Sequence, residues 1–193
     1  MRELDYKKIL IVVDMVNGFI REGIMSDKYI EHIIEPQIKL IEKINNNKEG
    51  LIFVKEAHSD NSNEFNRYPK HCVKGTSEAE LVDELKIYEN NAIVFEKNST
   101  STIFSNGFLS LINKMKNLEE VIIVGCCTDI CVMNLAIPLQ NYFDEINRNV
   151  KIVIPKDCVE TYDGDNHNRE EYNNIAFKLL EQTGVKVVDK YDK

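Results

Sequence analysis

Three side chains in this sequence are of the types that make and break acyl bonds: a thiol, a carboxylate and an amine. Cys131 lies in Gly125-Cys126-Cys127-Thr128-Asp129-Ile130-Cys131-Val132, where an apolar run ends and an amphipathic one begins. A cysteine near a helix N-terminus meets unpaired amides and the positive end of the helix dipole, which favour a thiolate and can hold an oxyanion. Cys126 and Cys127 beside it read as small packing residues. The three lack the paired C-x-x-C spacing of a zinc knuckle. Asp14 closes an apolar run; partly buried there, a carboxylate holds its proton more tightly and can take the thiol proton. An Asp after a strand is also a common turn residue. Lys97 closes another such run, where a cation between thiol and carboxylate would favour the charged form of both. Taken alone, it reads as a solvated lysine.

A second group suits a metal. Glu56, His58, Glu64 and His71 fall in or just before a long irregular stretch over residues 56–75, and loops of that length inside compact domains usually have a function. Two imidazoles and two carboxylates suit Zn²⁺, Mn²⁺ or Fe²⁺ rather than Ca²⁺. Glu56 and His58 are two apart at the end of an extended run, so both side chains point to one face. A polar surface loop can also gather such residues without binding anything.

The elements that must position these groups follow from periodicity. Residues 8–14 (KILIVVD) are almost continuously apolar, as a strand buried on both faces must be. Similar runs cover residues 51–54, 92–95, 121–124, 150–154 and 185–188. Helical spacing covers residues 29–47, with Ile30, Ile33, Ile34, Ile38, Ile41 and Ile44 on one stripe, and then about 78–85, 105–115, 131–143 and 168–182. The alternation predicts an α/β fold: a doubly wound, three-layer α/β/α arrangement with a mostly parallel sheet of about six strands. In such sheets the site lies off the carboxyl ends of the strands. Asp14, Glu56, His58, Lys97 and residues 125–131 all leave those ends.

Composition narrows the classes. The chain has 193 residues, which predicts a single domain over 1–193. Its 32 acidic against 24 basic residues give a net charge of −8, arguing against a nucleic-acid or polybasic membrane partner. The apolar run near the N-terminus is far too short for a spanning helix or a signal segment. Five cysteines without regular spacing do not form a disulfide framework, so a reduced, cytoplasmic protein is expected.

The constellation resembles a known family. Asp14 after Val12-Val13, Lys97 after Val94-Phe95-Glu96, and the T-D-x-C-V element ending at Val132 are similar to the Asp-Lys-Cys triad of isochorismatase-like cysteine hydrolases. Strand order and length agree from residue 8 to 188. Within that superfamily, Glu56-Ala57-His58, then Glu64, then Tyr68-Pro69-Lys70-His71-Cys72-Val73-Lys74-Gly75-Thr76 resemble the loop of nicotinamidases, which also hydrolyse pyrazinamide. The resemblance implies that Glu56, His58, Glu64 and His71 bind one divalent transition metal ion, zinc first and manganese or iron after it. It implies that Phe19 and Tyr68 stack on the substrate ring, and that Phe19 is more than the core residue its type alone suggests. It further implies a cis peptide at Cys126–Cys127, which turns the Cys127 amide to join that of Cys131 in an oxyanion hole. The activity implied is hydrolysis of nicotinamide to nicotinate and ammonia through a thioester on Cys131, serving NAD salvage, in an enzyme that often forms homo-oligomers. Another small amide, a carbamoyl compound or isochorismate is the alternative substrate. Glu56 stands where Asp is usual, Tyr68 where Trp or Phe is common, Lys70 where a second Pro is common, and Asn98-Ser99-Thr100-Ser101-Thr102 replaces a small-residue and Tyr pattern.

Overall fold

The computed structural model describes residues 6–192. Seven strands form one sheet: β1 (Lys8–Val13), β2 (Gly50–Glu56), β3 (Ile93–Lys97), β4 (Glu120–Cys126), β5 (Lys151–Pro155), β6 (Val159–Glu160) and β7 (Lys186–Val188). The order is β3-β2-β1-β4-β5-β7, with β6 paired to the end of β4, and every pairing is parallel. The helices are α1 (Asn17–Ile20), α2 (Ile34–Asn46), α3 (Asp83–Lys86), α4 (Phe108–Lys114), α5 (Met133–Glu145) and α6 (Arg169–Gln182).

Alternation along β1 explains the three layers. Ile9, Ile11 and Val13 pack with Phe108 and Ile112 of α4, Leu135, Leu139 and Phe143 of α5, and Leu180 of α6. Leu10 and Val12 face the other way, against Leu40, Ile41 and Ile44 of α2 and Leu85 of α3. A strand with both faces covered must be apolar throughout, which is why β1 and β4 read as unbroken runs. Each such side chain, fully buried, stabilises the fold by about 1.5–3 kcal/mol. Among the described residues, no helix is long and apolar enough to cross a membrane.

The chain runs from β1 outward to β2 and β3, then returns to the other side of β1 as β4. The carboxyl ends of β1 and β4 therefore flank the point where the winding reverses, the place where parallel sheets open a crevice.

Some predicted elements differ. The sheet has seven strands because two residues, too few to carry a pattern, pair Val159 with Gly125 and Glu160 with Cys126. The helix expected over 78–85 is a short turn at Ser77–Ala79, an extended piece, and α3. The extended piece bonds residues 15–17 (Asn17 N–H to Glu80 O, Val82 N–H to Met15 O), so the spacing of Leu81 and Val82 serves a strand-like contact. The stripe over 29–47 divides into a 3₁₀ turn, Lys28–Ile33, and α2. Pro36 lacks an N–H and fits only in a first helical turn, so the helix restarts just before it. The helix expected from Cys131 begins as a π-helical turn, Thr128–Val132, and continues as α5. Inside α5, Pro138 leaves the Asn134 carbonyl without its helical donor, and the Ser101 hydroxyl bonds it at 2.8 Å.

Candidate active site

Asp14 takes the first position after β1 with φ 53°, a left-handed conformation that Asp tolerates better than most residues. Its N–H bonds Val54 O at 2.9 Å, and its carboxylate turns into the crevice, fully buried. Lys97 ends β3 in register with Glu56, the last residue of β2. Lys97 Nζ lies 2.8 Å from Asp14 Oδ2 and 3.6 Å from Cys131 Sγ, and also pairs with Glu56 Oε2. Glu56 Oε2 is in turn 3.9 Å from Cys131 Sγ. One buried cation is thus shared by a thiol and two carboxylates.

Gly125 lets these strand ends approach. Its φ is 120°, and a Cβ there would stand 1.9 Å from the Val13 carbonyl oxygen. Cys126 follows, with its thiol donating to the Asp14 carbonyl at 3.1 Å, and the Cys126–Cys127 peptide is cis. Cys126 is buried in the core as expected, whereas Cys127 is partly exposed and lines the cavity over Cys131.

Burial sets the protonation of this group. Loss of water raises the Asp14 pKa from 3.8 to about 6, with Lys97 holding it down. Burial also disfavours ionised Glu56, but Lys97 and His58 outweigh it and its pKa falls below the usual value. Lys97 remains firmly charged, because Asp14, Cys131 and Glu56 overcome its own desolvation. The thiolate expected at Cys131 is not what this arrangement favours. Burial pushes the thiol well above its ordinary range, and Lys97 offsets only part of that. At neutral pH the two carboxylates and one ammonium already sum to −1, so a second net negative charge is disfavoured. The resting pair is a thiol beside an ionised carboxylate.

The second group lies on the other side of Glu56. One ligand atom each from His58, Glu64 and His71 lies within 4.8 Å of the others, and all three residues are buried. Glu56 Oε1 faces His58 Nε2 at 2.9 Å outside hydrogen-bond geometry, and neither atom has a hydrogen-bond partner. The outer nitrogens are oriented: His71 Nδ1 donates to Pro69 O at 2.7 Å, leaving Nε2 its lone pair. Asn98 Oδ1 accepts the Ser59 N–H at 2.9 Å, so it acts as an acceptor towards His58 Nδ1 at 3.3 Å. Glu64 Oε1 accepts the Thr100 N–H at 3.0 Å. Oriented imidazoles, a fixed carboxylate and orphaned buried donor atoms fit a divalent transition metal. Burial disfavours the His58 imidazolium, but Glu56 and Glu64 outweigh it and raise its pKa.

Both groups open into one cavity of about 520 Å³, within the range of small-molecule sites. Phe19 and Tyr68 line it with His71, and their rings stand 5.6 and 6.4 Å from that imidazole. Tyr162 also lines it and was not anticipated: nothing in its local sequence marks it, since a loop before α6 brings it there. Asn98 and Thr100, in the segment that departs from the resemblance, prove to hold the histidine and carboxylate of the second group. Asn98 directly follows Lys97, and that adjacency was the available signal.

Comparison with known proteins agrees with this fold. The Isochorismatase domain family matches residues 8–191. Nicotinamidase 1 of Arabidopsis thaliana is 33% identical over 140 residues, 65% of this chain but only 57% of the relative's own length. A second Arabidopsis relative, described as a probable inactive nicotinamidase, is 26% identical over 182 residues, 88% of this chain and 89% of that protein. The crystal structure of N-carbamoylsarcosine amidase from Thermoplasma acidophilum superposes with a TM-score of 0.75 at 25% identity, covering 97% of this chain and 99% of that one. With a family match over nearly its whole length and the same sheet in a solved relative, the chain belongs to the isochorismatase family.

Proposed function

We propose that this isochorismatase-family hydrolase converts nicotinamide to nicotinate and ammonia by covalent thiol catalysis. One observation carries the reading: Lys97 joins Asp14 to Cys131, and Cys131 lines one cavity together with Glu64 and His71 of the second group. The nicotinamidase relative supports the choice of substrate.

Asp14, ionised above about pH 6, takes the Cys131 proton as Sγ attacks the amide carbon. Lys97 stays protonated throughout and balances the charge passing between thiol and carboxylate. The oxyanion that forms is met by the backbone amides of Cys127 and Cys131. Asp14 returns the proton to the departing ammonia, then takes one from the water that cleaves the thioester and passes it to the Cys131 sulfur as that leaves, restoring the thiol. Phe19 and Tyr68 hold the ring on its two faces. A divalent metal held by His58, Glu64 and His71, with Glu56 Oε1 beside them, would supply a Lewis-acid anchor for the pyridine nitrogen. Zinc suits this donor set; manganese and iron are the alternatives.

The test is ammonia release from nicotinamide by purified protein, before and after chelator treatment and after zinc is restored. The expected result is release that disappears with the chelator and returns with the metal. No release at full metal loading removes nicotinamide as substrate. The likeness to N-carbamoylsarcosine amidase favours one second reading, a small carbamoyl compound, which the same assay tests with that substrate class.

A further inference from the structure

Asp129 and His167 belong to neither the thiol group nor the metal group, yet the structure ties them together. Asp129 sits in the turn Thr128–Val132, two residues before Cys131. His167 is in the loop that leads from β6 into α6, and is 8% exposed. Its Nε2 is 2.9 Å from Asp129 Oδ2, and its Nδ1 is 3.0 Å from the Tyr162 carbonyl oxygen. Each ring nitrogen thus lies within hydrogen-bond distance of one oxygen acceptor. Its faces are covered as well, by Tyr162 at 3.9 Å and 8° and by Tyr172 at 3.7 Å and 29°. Two bonds in the plane and a ring on each face leave this imidazole one orientation.

What it joins matters. The turn carrying Cys131 is a π-helical one, a geometry rarer and weaker than the α-helix and used mostly as single turns at functional sites. Within it, the amides of Ile130 and Val132 share the Cys127 carbonyl, at 3.1 Å each. Such a turn needs an outside restraint to hold Sγ in place. Tyr162 lines the cavity, and its loop is closed by paired backbone bonds between Gly164 and His167 at 3.0 and 3.1 Å. Arg169 fastens the same loop to Thr161 O at 3.0 Å and to Asp27, with its guanidinium 4.0 Å above the Tyr29 ring.

We propose that His167 is a positioning residue for the thiol chemistry: anchored on Asp129, it clamps the turn that carries Cys131 to the loop that carries Tyr162. It touches neither substrate nor reacting atoms. The proposal rests on Cys131 being the nucleophile but not on the identity of the substrate. A displacement of about 1 Å at a reacting group costs on the order of a hundredfold in rate, so the clamp is expected to show in kcat.

The test compares His167→Phe, which keeps the stack and loses both bonds, with Asp129→Ala and with the double variant. The readouts are the alkylation rate of Cys131 by iodoacetamide, followed by peptide mass spectrometry, the kcat and KM for ammonia release from nicotinamide, and Tm. His167→Phe is expected to lower the Cys131 alkylation rate at least fivefold, by moving Sγ away from Lys97. It should lower kcat about tenfold or more with KM within threefold. The double variant should be no worse than either single one, since the two residues act as one device. General loosening would instead speed alkylation of the buried Cys72, Cys126 and Cys158 together, and that result overturns the proposal. Unchanged alkylation in His167→Phe overturns it too, as does a double variant whose losses add. If the unaltered protein releases no ammonia from nicotinamide, the substrate reading fails, while the alkylation rates still decide on the clamp.

Discussion

At the scale of single residues, the site turns on how one ammonium is shared. Lys97 lies buried between Asp14, Glu56 and Cys131. Cys131→Ala is therefore expected to abolish ammonia release, by at least about a thousandfold, while Tm stays within a few degrees. Retained turnover would remove Cys131 as nucleophile. Asp14 permits a sharper prediction, because its proton is held more tightly in the folded protein than in the unfolded chain. Below about pH 4 the carboxyl is protonated in both states and costs nothing. Above about pH 6 it is ionised in both, and the folded protein carries the full net cost of the buried charge, about 3 kcal/mol by linkage from 3.8 to about 6. Its share of stability thus falls as pH rises through that window. Asp14→Asn should be inactive yet melt no lower than the unaltered protein at pH 7.5, since Asn also tolerates φ 53° and removes the surplus charge. A clear drop in Tm would show that the carboxylate is stabilising. Activity of the unaltered protein should fall as pH drops through about 6, when the base becomes protonated; a flat profile from pH 5 to 7 would rule Asp14 out as that base.

At the scale of elements, the closeness of β1 and β4 is what brings Asp14 and Cys131 together, and Gly125 permits it. Gly125→Ala would place a methyl on the Val13 carbonyl at a φ that side chains avoid. A loss of about 3 kcal/mol or more is expected, roughly 6–12 °C in Tm for a chain of this size. A normal melting curve for that variant would show that the strand ends can part without cost. The loop between β2 and α3 carries the second group. Zinc should raise the Tm of chelator-treated protein by mass action and should do so much less in His71→Ala. An equal rise in that variant would take His71 out of the coordination shell, whatever the substrate. The segment after β3 was read only as a departure from the resemblance. It gains its meaning from three contacts: Asn98 on His58, Thr100 on Glu64 and Ser101 on the carbonyl that Pro138 frees.

At the scale of the whole molecule, the core and the site are separable. Phe143 is fully buried near the far end of α5, twelve residues beyond Cys131 and so roughly 18 Å along the helix axis. Phe143→Ala should cost about 3–5 kcal/mol through the cavity it leaves, yet the protein that remains folded should keep its kcat. A parallel loss of kcat would mean that packing behind α5 is transmitted to the thiol. Much of the architecture was legible because its causes are local. A strand covered on both faces must be apolar at every position, as residues 9–13 are, and a helix lying on it needs a 3.6-residue stripe, as Ile34, Ile41 and Ile44 provide. Asp14, Lys97 and Cys131 were legible as a group because each stands at the end of a strand or in the turn that leaves one, and all strands of a parallel sheet end on one side. The extended piece at residues 80–82 was not, because a partner sixty-odd residues away decides its conformation. Nor was the resting protonation of Cys131, since charge and burial act through space and not along the chain. By itself, then, the sequence determined the long strands and helices and the residue types that reach the carboxyl edge, all matters of short-range periodicity. Only the tertiary structure decided that Glu56 would face both Lys97 and His58, that Tyr162 would wall the cavity, and that His167 would reach Asp129. Each of these joins segments far apart in sequence, and no spacing rule encodes a distance that folding alone creates.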